Sequence, residues 1–303
     1  MNFSPDINVI VQGITQPLGA TYAADMKAYG TRVVAAIGPG HGGQMIKGIP
    51  VFDMVEQALP LIGTIDATVI FSHPYAVLDA ALEAIAAGIR QIVLVSQGVP
   101  PLDMVQLIRR AEATNTFIVG PNSPGIIVPN HLMLGVHPPE MYMPGPVGLI
   151  SRSGTLTYEV AGELTRARLG QSIGVSIGSD KITGSTFTQW LQILDEDDAT
   201  EVIVLVGHIG GDSEEAAAHY IVAAINKPVV VYIAGQTAPR DRRLGHAGAI
   251  VDSQGAYFRP DIGTAEGKVA AFRNANIPVA DRPSDIPRLV KQLLQSSLHR
   301  QAS

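Results

Sequence analysis

The 303-residue chain is long enough for two domains of ordinary size, and its 46% hydrophobic and 16% charged content with 31 glycines suits a compact fold rich in tight turns. A formal net charge of −6 argues against a general nucleic-acid binder, and the lack of cysteine excludes disulfides, thiolate metal sites and a cysteine nucleophile; no metal site is assigned. No apolar run reaches the roughly 18 residues of a membrane span, and Met1 to Asp6 carry neither the basic nor the apolar region of an export signal, so a cytoplasmic protein is expected.

Short apolar, β-rich runs predict strands at 7–11, 32–37, 67–71, 91–95 and 116–119. Alanine-rich stretches at 20–29, 77–87 and 102–114 predict the helices between them. Continuous apolar strands alternating with helices imply a parallel sheet covered on both faces, with ligands outside the carboxyl ends of the strands. Residues 121–146, with seven prolines, read as an irregular crossing. The alternation then restarts: strands are predicted at 147–150, 172–177, 202–206 and 229–233, and helices at 155–169, 187–195 and 213–226. A helix at 264–276, a strand at 278–280 and a helix at 284–295 close the chain. Two successive α/β domains are expected: 1–125, a crossing segment at 126–146, and 147–303.

The turn Gln12-Gly13-Ile14-Thr15-Gln16-Pro17-Leu18-Gly19 follows the first strand. Glycines there let backbone N–H groups approach a phosphate at a helix N-terminus, although the same residues also suit a plain turn. The second strand ends Ala35-Ala36-Ile37-Gly38-Pro39, without the acid that an NAD ribose wants, so a nucleotide or coenzyme A site is favoured over NAD. Pro39-Gly40-His41-Gly42-Gly43, Ser96-Gln97-Gly98 and Pro121-Asn122-Ser123-Pro124-Gly125 are further loops at strand ends, and four such loops on one edge argue for a crevice. In the second half, Ser151-Arg152-Ser153-Gly154-Thr155-Leu156-Thr157-Tyr158 opens a helix, either as an ordinary cap or as an anion cradle built from the N–H groups of Gly154 and Thr155. Gly245-His246-Ala247-Gly248-Ala249-Ile250 surrounds a histidine with small residues, which lets another molecule approach its ring. Arg240, Arg242 and Arg243 precede it, as a solvated face or as anion contacts.

Taken together these residues resemble the α subunit of succinyl-CoA synthetase over nearly the whole chain. The ordered matches include Gln12-Gly13-Ile14-Thr15, Gly120-Pro121-Asn122, Ile209-Gly210-Gly211, Tyr232-Ile233-Ala234-Gly235, Thr237-Ala238-Pro239 and Gly245 to Ile250. The resemblance implies an α/β protein with an N-terminal Rossmann-like CoA-binding domain followed by a flavodoxin-like ligase domain. It implies an acid–CoA ligase that forms acyl-CoA from an acid, coenzyme A and ATP or GTP, through a phosphohistidine at His246 and an acyl phosphate. Coenzyme A contacts are implied at Gly13, Thr15, Gln16, Pro17, Leu18, Gly19, His41, Ser72, His73, Ser96, Gln97, Asn122 and Ser123. Phosphate and acid contacts are implied at Ser153, Gly154, Thr155 and Tyr158. The sequence has no ATP-grasp domain and no Walker A lysine loop, so the NTP with Mg²⁺ is expected on a partner β subunit that has an ATP-grasp domain.

Against the family pattern, His208 stands where a glutamate usually accepts a hydrogen bond from the catalytic imidazole. Pro17 removes one N–H from the first turn, His41 replaces a usual lysine, and Ser96-Gln97-Gly98 replaces Thr-Glu-Gly. Tyr257-Phe258-Arg259-Pro260 is extra. Succinate is the expected acid; the alternatives are malate, citrate or another acid, or a non-catalytic CoA-binding relative.

Overall fold

The structure, a computed structural model, describes residues 3–237 and 263–301. His246, its flanking residues 245–250, the arginines at 240, 242 and 243, and the stretch 257–260 lie outside the described residues. The chain divides into two units, residues 1–137 with 182–185, and residues 138–181 with 186–303.

The first unit alternates β1 (Val9–Gln12), α1 (Gly19–Tyr29), β2 (Val33–Ile37), β3 (Met45–Ile46), β4 (Ile49–Phe52), α2 (Val55–Ile62), β5 (Ala67–Ile70), α3 (Val77–Ala86), β6 (Gln91–Leu94), α4 (Pro101–Ala113) and β7 (Phe117–Val119). Every residue of β1, β5 and β6 is buried, as a sheet covered on both faces requires. The strands lie in the order β3-β4-β2-β1-β5-β6-β7, and all pairs are parallel except β3 with β4. From β4 through β7 this is the 3-2-1-4-5-6 order of a Rossmann sheet. The order reverses between β1 and β5, so the crevice of this unit opens outside their carboxyl ends. One layer of helices packs Val77, Ala81, Ile85, Met104 and Leu107 onto Ile10, Ile70, Ile92 and Leu94. Each large aliphatic side chain removed from water there stabilises the unit by roughly 1.5–3 kcal/mol.

The proline-rich stretch is more regular than its composition predicts. It folds as an antiparallel hairpin, β8 (Gly125–Val128) with β9 (Leu132–Gly135), turning at Asn130, whose φ is 65°. The hairpin is tied to α1 and its C-terminal end: the Thr31 hydroxyl donates to the Met133 carbonyl at 2.8 Å, and the Tyr29 hydroxyl accepts from the Asn130 N–H at 2.9 Å.

The second unit runs β10 (Pro144–Ser151), α5 (Gly154–Arg166), β11 (Gln171–Ser176), α6 (Phe187–Glu196), β12 (Val202–His208), α7 (Ser213–Ala224), β13 (Val229–Ala234), α8 (Ala265–Asn274), β14 (Val279–Ala280) and α9 (Ile286–Gln301). Its strands follow the order β14-β13-β12-β10-β11, all parallel, which is the 2-1-3-4-5 order of flavodoxin read from β11. Here the order reverses between β10 and β12. A capping box closes the start of α6, where Thr186 and Gln189 satisfy each other's backbone N–H groups. That helix then buries Phe187, Trp190, Leu191 and Leu194 against the sheet. Among the described residues no helix is long and apolar enough to cross a membrane.

Candidate active site

The first crevice is built on the turn that leaves β1. Gly13 donates to the Ile37 carbonyl at 3.0 Å and accepts from Gln16 N–H at 3.0 Å, which folds the chain back before α1 begins at Gly19. Gly13 has φ 81°, and a Cβ there would meet the Ser72 nitrogen at 2.6 Å, so only glycine lets the turn after β1 lie against the loop after β5. The residue before α1, Leu18, makes no side-chain cap; the Gly19 N–H donates to the Gln16 carbonyl at 3.0 Å, and the N–H groups that follow it in the first turn have no acceptor within the helix. Thr15, Pro17 and Leu18 are exposed and Gln16 is half-buried, so the turn presents a surface that a ligand can reach.

The other sequence-predicted contacts are distributed along the same edge. The half-buried His41 follows β2, where its N–H donates to the Gly38 carbonyl at 2.9 Å. Ser72 and the exposed His73 follow β5, and the His73 ring stacks on Tyr75 with centroids 5.6 Å apart. Ser96, after β6, donates its hydroxyl to the Ser72 carbonyl at 2.6 Å, joining two neighbouring loops, and Gln97 beside it is exposed. Asn122, at φ 55°, donates its N–H to the Ser96 carbonyl at 2.9 Å, while the buried Ser123 hydroxyl accepts from the Gly125 N–H at 2.8 Å. The edge is therefore a continuous, hydrogen-bonded rim running from β2 through β1, β5 and β6 to β7. It offers N–H groups and small polar side chains, a donor set suited to phosphates on a flexible ligand.

In the second unit the crevice lies outside β10 and β12. Ser153 caps α5, its hydroxyl accepting from the Leu156 N–H at 3.4 Å. That bond leaves the N–H groups of Gly154 and Thr155, in the first helical turn, without intrahelical acceptors. Ser151 steadies the cap by donating to the Ser153 carbonyl at 2.9 Å and accepting from its N–H at 3.0 Å. Tyr158 sits half-buried one turn further on. The ordinary cap is present: the Ser153 hydroxyl takes the Leu156 N–H, while the N–H groups at the very start of the helix have no acceptor within it.

His208 ends β12 and is 9% exposed. Its N–H donates to Glu214 Oε1 at 3.2 Å, and its Nδ1 lies 2.6 Å from the Ile209 carbonyl oxygen. Around it is a cluster that sequence reasoning missed. Lys268 and Glu214 have no exposed surface, and Lys268 Nζ donates to Glu214 Oε2 as well as to Glu215 Oε2 and the Gly211 carbonyl, the latter two at 2.9 Å. Arg152, 6% exposed, donates to the Ser213 hydroxyl at 3.0 Å and the Asp180 carbonyl at 3.2 Å. Burial pushes the Glu214 carboxyl up, but the Lys268 ammonium and the Arg152 guanidinium outweigh it and hold the group below the usual carboxylate range. Burial and then Arg152 push the His208 ring below the ordinary histidine value; the Ile209 carbonyl and Glu214 oppose them, and Lys268 adds to the depression. Lys268 shares its helix with Ala265, Val269 and Phe272, all of them buried, but a single lysine there carries no local signal of the pairing.

A family model for a CoA binding domain matches residues 4–98, and a CoA-ligase model matches residues 150–271. Succinate–CoA ligase [ADP-forming] subunit alpha 2 of Archaeoglobus fulgidus is 42% identical over 286 residues, covering 94% of this chain and 96% of that protein. The corresponding alpha subunit of Aquifex aeolicus is 41% identical over 292 residues, covering 96% and 93%. Among solved structures, ATP citrate lyase from Methanothrix soehngenii in complex with citrate and coenzyme A superposes with a TM-score of 0.87 at 22% identity, covering all of this chain and 52% of that one. A dinucleotide forming acetyl-coenzyme A synthetase from Ca. Korarchaeum cryptofilum gives a TM-score of 0.69 at 22% identity, over 93% of this chain and 59% of that one. At this identity these structures show a shared fold, and the chain spans only about half the length of each. Since the alpha-subunit relatives match along almost the entire sequence, and a CoA binding domain is followed by a CoA-ligase domain in the two units whose strand orders place the crevices just described, the chain belongs to the succinate–CoA ligase alpha-subunit family.

Proposed function

We propose that this chain is the alpha subunit of an NTP-dependent acid–CoA ligase that acts through phosphohistidine at His246. The observation that carries the reading is the coincidence of motif and topology: in each unit the family's signature turn falls at the switch point of the sheet. Gly13 to Gly19, His41, Ser72, His73, Ser96, Gln97, Asn122 and Ser123 line the coenzyme A crevice. Ser153, Gly154, Thr155 and Tyr158 hold the phosphoryl group and the acid carboxylate. His208 orients the reacting imidazole.

The reaction divides one hard transfer into three steps. Imidazole nitrogen takes the γ-phosphoryl group of the NTP and NDP leaves. A carboxylate oxygen of the acid then takes the phosphoryl group from nitrogen, giving an acyl phosphate and the free imidazole. The coenzyme A thiolate adds to the acyl carbon and inorganic phosphate departs with the bonding pair of the C–O bond. Negative charge builds on phosphate oxygens at each transfer, and the open N–H groups at the start of α5 are preorganised to meet it. A β subunit with an ATP-grasp domain supplies the NTP and Mg²⁺. Succinate is the acid, in line with the names of the relatives.

The test is label transfer. The chain reconstituted with its β subunit and given γ-labelled NTP and Mg²⁺ takes up acid-labile, base-stable label, and loses it on addition of succinate and coenzyme A. Label that survives His246→Asn refutes the assignment of the residue. Discharge by malate or citrate in preference to succinate reassigns the substrate.

A further inference from the structure

His208 is held by contacts that define where its proton sits. A carbonyl oxygen only accepts, so the 2.6 Å approach of Nδ1 to the Ile209 oxygen places hydrogen on Nδ1. In an uncharged ring the lone pair is then on Nε2. The groups facing the ring come from three elements: Arg152 from the turn after β10, Glu214 with Glu215 behind it from α7, and Lys268 from α8. Two cations and two carboxylates balance, so the cluster needs no charge from His208, and a buried imidazolium beside two cations would be disfavoured. The same cluster fixes the backbone that carries the ring. Glu214 accepts the His208 N–H, Lys268 ties Glu214 to the Gly211 carbonyl, and the Gly210 N–H donates to the Gly263 carbonyl at 2.8 Å.

We propose that His208 acts as a neutral hydrogen-bond acceptor through Nε2, with Lys268 and Glu214 as the positioning residues that hold it ready for an N–H donor of the reacting group. The role rests on the ligase reading, but the state of the ring does not. A donor meeting Nε2 gains orientation without gaining an anion beside it. The site therefore fixes geometry more than it stabilises positive charge on its partner. Protonation of His208 turns the acceptor into a donor and removes the function.

The experiment uses the chain labelled with ¹⁵N in its histidines, in complex with its partner subunit, and records long-range proton–nitrogen correlation spectra against pH. The His208 signals are those that vanish in His208→Glu. The expected spectrum at neutral pH is that of a ring protonated on Nδ1 alone, becoming cationic only below the ordinary histidine range. A ring that is cationic at neutral pH, or protonated on Nε2, overturns the proposal whether or not the complex takes up phosphate. The positioning role is tested with Glu214→Leu/Lys268→Met, which replaces the buried pair by apolar groups and so avoids the stranded charge of either single change. The expected result is a folded complex in which His208 loses its single tautomer. Phosphate uptake falls about tenfold with the KM for coenzyme A unchanged. Wild-type tautomer and pH profile in that variant overturn the role of Lys268 and Glu214; the wild-type spectrum alone decides the state of His208.

Discussion

Lys268, on α8, and Glu214, in the first turn of α7, form an ion pair with no exposed surface on either side chain. Such a pair roughly offsets its own desolvation while intact, but removal of one partner strands the other. Lys268→Met is expected to cost roughly 3–5 kcal/mol, because the buried Glu214 carboxylate then keeps hydrogen bonds from the His208 N–H and the Ser213 hydroxyl but has as its cation only the more distant Arg152, 3.9 Å away. Glu214→Leu/Lys268→Met is expected to recover most of that loss. Denaturant melts of the four species close the double-mutant cycle, and a single change costing no more than the double would show that neither charge is stranded by loss of its partner.

The packing of Gly13 on Ser72 yields a second prediction. An alanine at 13 brings both a positive φ and a backbone clash, so Gly13→Ala is expected to cost about 2 kcal/mol or more and to weaken coenzyme A binding at least tenfold. Gly30, at the C-terminal cap of α1 with φ 114°, has nothing within 4 Å of a built Cβ. Gly30→Ala therefore carries the backbone strain alone, about 1 kcal/mol, with coenzyme A binding retained. Calorimetric titration of both variants separates the two effects. Equal losses of affinity would show that strain, not contact with the loop after β5, governs the crevice.

The alternation of elements was legible because fully buried strands leave continuous apolar runs, as in Val9–Gln12 and Ala67–Ile70. Strand order was not legible, since pairing of β1 with β5 depends on contacts between residues such as Val9 and Ala67 that no local pattern reports. Three elements were hidden by proline. Pro60 lies inside α2, and the prolines flanking β8 and β9 masked a hairpin. The turns at the strand ends were visible through glycine, which marks close approach of backbone. The cluster around His208 was not, because its members lie far apart in sequence, Lys268 and Glu214 by 54 positions, and each alone reads as an ordinary surface charge.

His137 gives a pH prediction for the first unit. Its ring is fully buried, and desolvation lowers its pKa from 6.5 to about 4 against the opposing hydrogen bond with the Gly125 backbone. Between those two values the unfolded chain binds a proton that the folded chain refuses. Stability is therefore fully present above pH 6.5 and is lost as the pH falls toward about 4, by about 3 kcal/mol from this residue. His137→Gln is expected to flatten that part of the profile relative to the parent. Parallel slopes for parent and variant in urea melts across this range would show that His137 does not titrate with unfolding.

His208→Glu tests how the acceptor at the end of β12 sets the working pH. On the proposed role, the functional form in the parent is the neutral ring. Phosphate uptake is therefore expected to fail as the pH drops through a His208 value lying below the ordinary histidine range, because burial and Arg152 disfavour the cation. A carboxylate at the same position accepts a hydrogen bond equally well and stays ionised to lower pH, with Arg152 and Lys268 close enough to stabilise it. The variant should accordingly keep or raise its rate of phosphate uptake at neutral pH and move the acid limb further down. Rapid-quench measurements of label uptake against pH, on the complex with its partner subunit, check both parts. Complete loss of uptake in His208→Glu would mean that the imidazole supplies more than an acceptor, and an acid limb that stays where it was would mean that another group titrates.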